Sequence, residues 1–374
     1  MKYNEIYQID CIDGLNQLHN EIDAIFTSPP YNIGINYDGV YNDKKTHDKY
    51  LEWTEKWAKA AYGAVREGGV MGVNVADVTH NGKKTTTSVD VMKKCIEAGW
   101  TYQEHIIWQK PAGSGQPRNL AFYKSLKQYQ IAKELIGIFP AEKRDAILRQ
   151  VKKKLAKVYY PRILTEDIWV FSKGEKITTK VLPGLNILGS IISGSLENIT
   201  NNEEEWIEAS KETIKNRTEE KALTKINKFI VDDIAEQILR SAVGYMKYKH
   251  PKVEFTKLLI KYKNEFEYAI QWSFKNIFPA LTDVWYAQSG VARKRQTGHP
   301  VPFDIKLAMR FIVFYTPEHG IICDPFMGSG TTACAAVRLN KCYNTNYNYL
   351  GFELSPKYIQ KSQNSIQKEK QRRC

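Results

Sequence analysis

Short apolar runs alternate with amphipathic ones at both ends of this chain, and the alternation stops in the middle. In the first part, strand-like runs cover residues 5–9, 22–26, 70–75 and 102–108. Between them lie a helical turn at 15–19 and helices at 50–66 and 89–98. The helix at 50–66 carries Leu51, Trp53, Trp57, Ala61 and Val65 at helical spacing, and Gly68 with Gly69 reads as its stop. The same rhythm returns late: a helix at 303–315, a strand at 320–323, a helix at 333–339, a strand at 349–353 and a last helix capped by Ser355, with Pro356 at its first position. Strands separated by helices must cross over, which predicts an α/β, doubly wound parallel sheet.

Residues 118–281 lack that rhythm. They are rich in Lys, Glu, Asn, Ile and Tyr, with helical stretches, one strand candidate at 168–171 and a polar, acidic linker at 197–205. A basic helix is expected at 141–158, carrying Lys143, Arg144, Arg149, Lys152, Lys153, Lys154 and Lys157. Such a helix serves equally as a grip for phosphates or as a solvated face. The expected organisation is one α/β core in two pieces, 1–111 and 282–374, with a mainly helical insertion at 112–281.

The 374 residues carry a formal net charge of +13, which suits a polyanionic partner. The six cysteines, Cys11, Cys95, Cys323, Cys334, Cys342 and Cys374, form no CxxC pair, and no Cys/His cluster has metal-ligand spacing. They read as reduced thiols, and no bound metal is expected. With no apolar signal core at the start and no run of membrane-spanning length, a cytoplasmic protein without a membrane partner is expected.

Two segments carry the chemistry. In the first, Asp324-Pro325-Phe326-Met327-Gly328-Ser329-Gly330-Thr331-Thr332, a strand runs into a Gly-rich turn that opens a helix. The glycines let the backbone approach a ligand, and the helix start offers N–H groups to a carboxylate. A phosphate loop would need Gly-Lys-Ser/Thr, and here Thr331 follows Gly330, so a zwitterion such as S-adenosylmethionine fits better than ATP or GTP. Glu353, ending the next strand, can hold two ribose hydroxyls. Taken alone, the segment could also be a tight strand–helix turn.

The second segment is Thr27-Ser28-Pro29-Pro30-Tyr31-Asn32, directly after a buried strand. Two prolines stiffen the chain and remove two N–H groups. The carbonyls and the Ser28 side chain then act as fixed acceptors for an amino group that donates both hydrogens, freeing its lone pair to attack a methyl. Tyr31 offers a face on which a base can stack. Alone, this too could be a plain Pro-Pro turn.

Together the two segments resemble the amino-directed DNA methyltransferases, which modify N4 of cytosine or N6 of adenine. TSPPY is similar to that family's catalytic motif, and DPFMGSGTT to its cofactor motif. The catalytic motif coming first matches the permuted order called beta. IYQIDCIDGLNQL, HPVPFDIKLAMRFIVFYT, DVW and YLGFELSPKYI are further points of likeness, as is TEDIWVFSKG in the middle. The likeness covers roughly residues 5–111 and 282–362. It implies a Rossmann-like, S-adenosylmethionine-dependent methyltransferase sheet with an inserted target-recognition module. It also implies direct transfer to a base flipped out of double-stranded DNA, with Ser28, Pro29, Pro30 and Tyr31 catalytic. Cofactor binding would fall to Asp13, Asp324, Pro325, Phe326, Gly328, Ser329, Gly330, Thr331 and Glu353. Ser28 leans the target toward cytosine N4, with adenine N6 as the alternative. A cognate restriction endonuclease and a homodimer follow from family habit.

Two departures stand out: the long helical stretch before TEDIWVFSKG, and an Asn/Tyr-rich insertion at 342–349. Methyltransferases acting on RNA or protein glutamine usually carry Asn at the Ser28 position and place the cofactor motif first. A basic DNA-binding protein with a decayed site is opposed by the intact motifs, a nucleotide hydrolase by the missing lysine, and a C5-cytosine enzyme by the absence of a Pro-Cys pair. Trp108, Trp169 and Trp285 are expected in the core. Arg293, Lys294, Arg295 and His299 form a basic loop that could meet DNA.

Overall fold

A computed structural model of the protein describes residues 1–77, 79–80, 83–110, 144, 165–174, 187–219, 225–277, 284–287 and 303–372. The chain divides into two compact units, Met1–Gln109 with Glu166–Cys374, and Lys110–Thr165. The expected loop at 111–117, the basic helix at 141–158 (Arg144 apart) and the basic loop at 293–299 lie outside the described residues.

The described elements run in the order β1 (Glu5–Tyr7), α1 (Cys11–Leu15), β2 (Ile22–Thr27), α2 (His47–Ala64), β3 (Val65–Val75), β4 (Thr79–His80), β5 (Lys83–Lys84), α3 (Thr87–Glu97), β6 (Thr101–Gln109) and β7 (Thr165–Ser172). Five helices follow: α4 (Ile187–Leu196), α5 (Glu203–Glu219), α6 (Lys225–Lys249), α7 (Phe255–Lys261) and α8 (Lys263–Ile277). The chain then forms β8 (Val284–Tyr286), α9 (Ile305–Tyr315), β9 (Ile321–Asp324), α10 (Thr331–Tyr343), β10 (Asn348–Phe352) and α11 (Pro356–Gln371).

Eight strands build one mixed sheet in the order β1-β10-β9-β2-β3-β7-β6-β8. From β1 to β3 all pairs are parallel, while β7 runs antiparallel to β3. The alternation of strand side chains explains why the sheet is covered on both faces. Ala24, Phe26, Val70, Ile168 and Val170 pack into one core with α4–α10. Ile25, Met71, Val73, Trp169 and Phe171 pack into the other with α1, α2 and α3. Trp108, Trp169 and Trp285 are buried, as expected.

Two local expectations are corrected. The first helix begins at Cys11, not Leu15, because the Asp10 carboxylate accepts from the Ile12 N–H at 2.8 Å and starts the turn early. The second helix ends at Ala64 and passes directly into β3, so Gly68 (φ +74°) and Gly69 are strand residues rather than a helix stop. There the pairing with β2 jumps from Ile22↔Val65 to Ala24↔Val70, a bulge. A Cβ on Gly69 would lie 2.8 Å from the Asp23 carbonyl oxygen. Cys11, Cys95, Cys323 and Cys334 are buried and form no disulfide, whereas Cys342 is disulfide-bonded, against the expectation of reduced thiols throughout. Among the described residues, no helix is long and apolar enough to cross a membrane.

One buried ion pair fastens α6 to α9. Arg310 is 1% exposed and Asp233 4%, with Nε and Oδ2 at 2.5 Å. Lys306 lies 3.4 Å from Asp233 and 3.1 Å from Glu236. Burial alone would raise the Asp233 carboxyl, yet Arg310 and Lys306 together hold it below the usual carboxylate range.

Candidate active site

β2 and β9 are parallel neighbours, with Ala24 opposite Ile322 and Ile25 opposite Cys323. Their carboxyl ends therefore emerge side by side, the position where open α/β sheets hold ligands. Thr27, the last residue of β2, donates its hydroxyl to Asp324, the last residue of β9, at 2.6 Å across 297 residues of sequence. The Thr332 hydroxyl donates to the other Asp324 oxygen at 2.7 Å, and the Phe326 N–H lies 3.1 Å from the first. Burial pushes the Asp324 carboxyl up to about 6 in spite of these three donors. Asp324 is thus a tie between the two segments, set behind the turn.

An open cleft of about 830 Å³ lies over these strand ends. Ser28, Pro29, Pro30 and Tyr31 line it from β2; Pro325, Phe326 and Gly328 from β9; Glu353 with Phe352 and Leu354 from β10; and Ile9, Asp10 and Cys11 from the end of β1. Of the residues expected from sequence, Ser329, Gly330 and Thr331 are buried in the turn and helix start without lining the cleft. Gly330 (φ +83°) is pressed against α11, where an added Cβ would meet the Ser362 Cβ at 2.8 Å. Asp13 is exposed on α1, and Asp10 is the acidic residue on the cleft wall.

Glu353 bridges two turns. Its Oε2 accepts from the Gly328 N–H and its Oε1 from the Ser355 N–H, both at 2.8 Å. Burial raises its carboxyl above the usual range against the pull of those amides. Each oxygen keeps a lone pair for a hydroxyl donor.

The remaining wall is aromatic. Phe326 meets Trp57 edge-on at 5.6 Å and Trp53 at 5.5 Å, and Trp53 continues to Tyr41 at 5.3 Å. Tyr37 and Tyr41 arrive on the loop after Asn32, which also brings Ile33, Ile35 and Val40 to the cleft. That loop is tied by Asp43, whose carboxylate accepts from the N–H groups of Asn32, Ile33 and Ile35 at 2.8–3.1 Å. At its far end the Asp38 carboxylate takes hydrogen bonds from Ser355 Oγ at 3.0 Å and Lys357 Nζ at 2.8 Å.

In the proline segment the Pro30 carbonyl accepts from the Tyr50 hydroxyl at 2.9 Å. Tyr31 is 9% exposed. Its hydroxyl lies 3.0 Å from Ser28 Oγ, 3.2 Å from the Asn74 carbonyl and 3.2 Å from Glu166 Oε2. Burial first, and the Glu166 charge second, push the Tyr31 phenol well above its ordinary range, so it stays protonated. Sequence reasoning missed Asp10, Tyr37, Tyr41, Asn74 and Glu166. The Tyr-rich loop after the prolines was a signal available for two of them; the others depend on strand pairing. Among the described residues, no group of three or more His, Cys, Asp or Glu is placed to hold a metal.

Known proteins resemble this chain in sequence and in fold. A DNA methylase family, the N6/N4 methyltransferases, matches residues 22–364. Over 159 residues the chain is 33% identical to the type II methyltransferase M.MjaVI of Methanocaldococcus jannaschii, a match covering 41% of this chain and 78% of that protein. It is 23% identical over 337 residues to the orphan methyltransferase M.BamHII of Bacillus amyloliquefaciens, covering 90% of this chain and 85% of that one. Among solved structures, the PvuII DNA methyltransferase (cytosine-N4-specific) superposes with a TM-score of 0.51 at 15% identity, over 98% of this chain and 87% of that one, a likeness of fold.

Proposed function

Since the chain belongs to the N6/N4 family of DNA methylases, we propose that its cleft passes a methyl group from S-adenosylmethionine to N4 of a cytosine flipped out of double-stranded DNA. The observation that carries this reading is the pairing of β2 with β9, tied by Thr27 and Asp324, which puts the proline segment and the glycine turn on one cleft.

The cleft fits the cofactor by its chemistry. Aromatic faces of Phe326, Trp53 and Tyr41 suit a sulfonium cation and an adenine ring. Glu353 offers acceptors to ribose hydroxyls, and Asp10 a further acceptor nearby. When bound, S-adenosylmethionine supplies an electrophilic methyl. The protein's part is positioning. Ser28 Oγ and the Pro29 carbonyl accept the two amino hydrogens. Tyr50 engages the Pro30 carbonyl and steadies the segment. Tyr31 presents its ring to the flipped base. Ser28, a hydroxyl where a carboxylate would lean toward adenine, supports cytosine as target. The inserted region, residues 112–281, would recognise the DNA sequence. The type II names of relatives support a cognate endonuclease, and a homodimer in the cytoplasm completes the reading.

The test is methyl transfer from labelled S-adenosylmethionine to mixed DNA, followed by sequencing that detects modified bases. The expected product is N4-methylcytosine in one sequence context. N6-methyladenine would correct the base, and no incorporation would overturn the reading. Tyr31→Ala should lose transfer by about 100-fold or more while still binding the cofactor. Normal turnover in that variant would remove Tyr31 from the mechanism.

A further inference from the structure

The Ser28 hydroxyl can serve as an acceptor only if its own proton points away from the cleft, and the structure contains a device for that. Every described partner of the Tyr31 hydroxyl except Ser28 is an acceptor. These are the Asn74 carbonyl at 3.2 Å, Asn74 Oδ1 at 3.3 Å and Glu166 Oε2 at 3.2 Å. The orientation of the Asn74 amide is itself fixed, because its Nδ2 donates to the Asp167 carbonyl at 3.1 Å, which leaves Oδ1 toward Tyr31. A phenol has one proton and an oxygen that accepts. Ser28 and Tyr31 lie 3.0 Å apart and either hydroxyl could donate in that contact; with the phenol proton given to the acceptor set, the phenol oxygen is left to accept from Ser28.

We propose that Glu166, with Asn74, is a positioning residue that sets the direction of this chain: Ser28 donates to Tyr31, Tyr31 donates to the acceptors, and the Ser28 lone pairs face the target amino group. The proposal rests on the reading of Ser28 as an amino-group acceptor. No bond is made or broken along the chain; each proton stays on its own oxygen. Glu166 holds the far end because its Oε2 is the acceptor at 3.2 Å from the phenol, and hydrogen bonds to carboxylates are among the stronger ones. Glu166 reaches the site on β7, whose antiparallel pairing with β3 sets Asp167 opposite Val75.

The test is a double-mutant cycle in single-turnover methyl transfer. Glu166→Gln keeps the size of the side chain but brings an amide that can donate to Tyr31 and reverse the chain. Tyr31→Phe keeps the stacking ring and removes the link. Each should slow transfer by about tenfold or more, as for a misdirected hydrogen bond to a charged partner. Both should leave the dissociation constant of S-adenosylmethionine unchanged, and the double variant should be no slower than the worse single one. Losses that multiply in the double variant, or a Glu166→Gln enzyme as fast as the unaltered one, would overturn the proposal. An unaltered protein that transfers no methyl would instead overturn the function it rests on.

Discussion

At the residue scale, Asp324 joins the proline segment to the glycine turn by accepting from Thr27, Thr332 and the Phe326 amide while fully buried. Its folded-state affinity for a proton exceeds that of the unfolded chain, whose carboxyl has the ordinary value of 3.8 against about 6 when folded. The folded protein therefore holds the extra proton in that window. Stability from this group is full below about pH 4 and declines as pH rises through 6. Asp324→Asn removes the buried charge, and its amide can donate to Thr332, which in turn can still donate to the Phe26 carbonyl. Urea unfolding should find this variant more stable than the unaltered protein by roughly 2–3 kcal/mol at pH 8 and nearly equal at pH 4. An unaltered protein that is the more stable one at pH 8 would show that the three donors outweigh burial.

At the element scale, the loop after Asn32 spans the cleft between two anchorages, Asp43 at its root and Asp38 on the start of α11. Its positive-φ residues, Asn32, Gly34, Asp38 and Gly39, let it turn sharply over a short length. Asp38→Ala removes only the outer anchorage. Stopped-flow dissociation of S-adenosylmethionine should then quicken severalfold with the overall fold intact, and an unchanged off-rate would show that the loop does not retain the cofactor. The elements themselves were largely legible in sequence, because periods of 2 and 3.6 are local signals: β2, α9, β9, α10 and β10 fall within a few residues of expectation. Gly68 and Gly69 misled because glycine marks a helix stop and a bulge alike. Both chemical motifs were legible because turn chemistry is local. Asn74 and Glu166 were not, since their meeting depends on β3 pairing with a strand some ninety residues later.

At the scale of the whole molecule, the helices that follow β7 share a core with one face of the sheet, and Arg310–Asp233 is the charged fastening in that layer. Arg310→Met would leave the buried Asp233 without its nearest cation, with Lys306 at 3.4 Å offsetting part of its charge, at a cost of about 2–4 kcal/mol in urea unfolding. Adding Asp233→Leu should restore most of it, and a single-variant loss under about 1 kcal/mol would refute the fastening. In the same cluster burial works to raise Glu236, but Lys306, Lys211 and Arg240 bring it down to about 2. Its contribution is therefore full above the unfolded value of 4.5 and is lost as acid approaches 2, opposite in sign to that of Asp324. The parallel seam between β2 and β9 has a consequence for how the protein comes into being. Strands drawn from distant parts of the sequence sit at the centre of the sheet, while β1 and β8 sit at its margins. A nascent chain on the ribosome thus owns one wall of the cleft long before the other exists. The cleft lacks its glycine-turn wall until β9 and β10 have emerged and taken their places between β1 and β2.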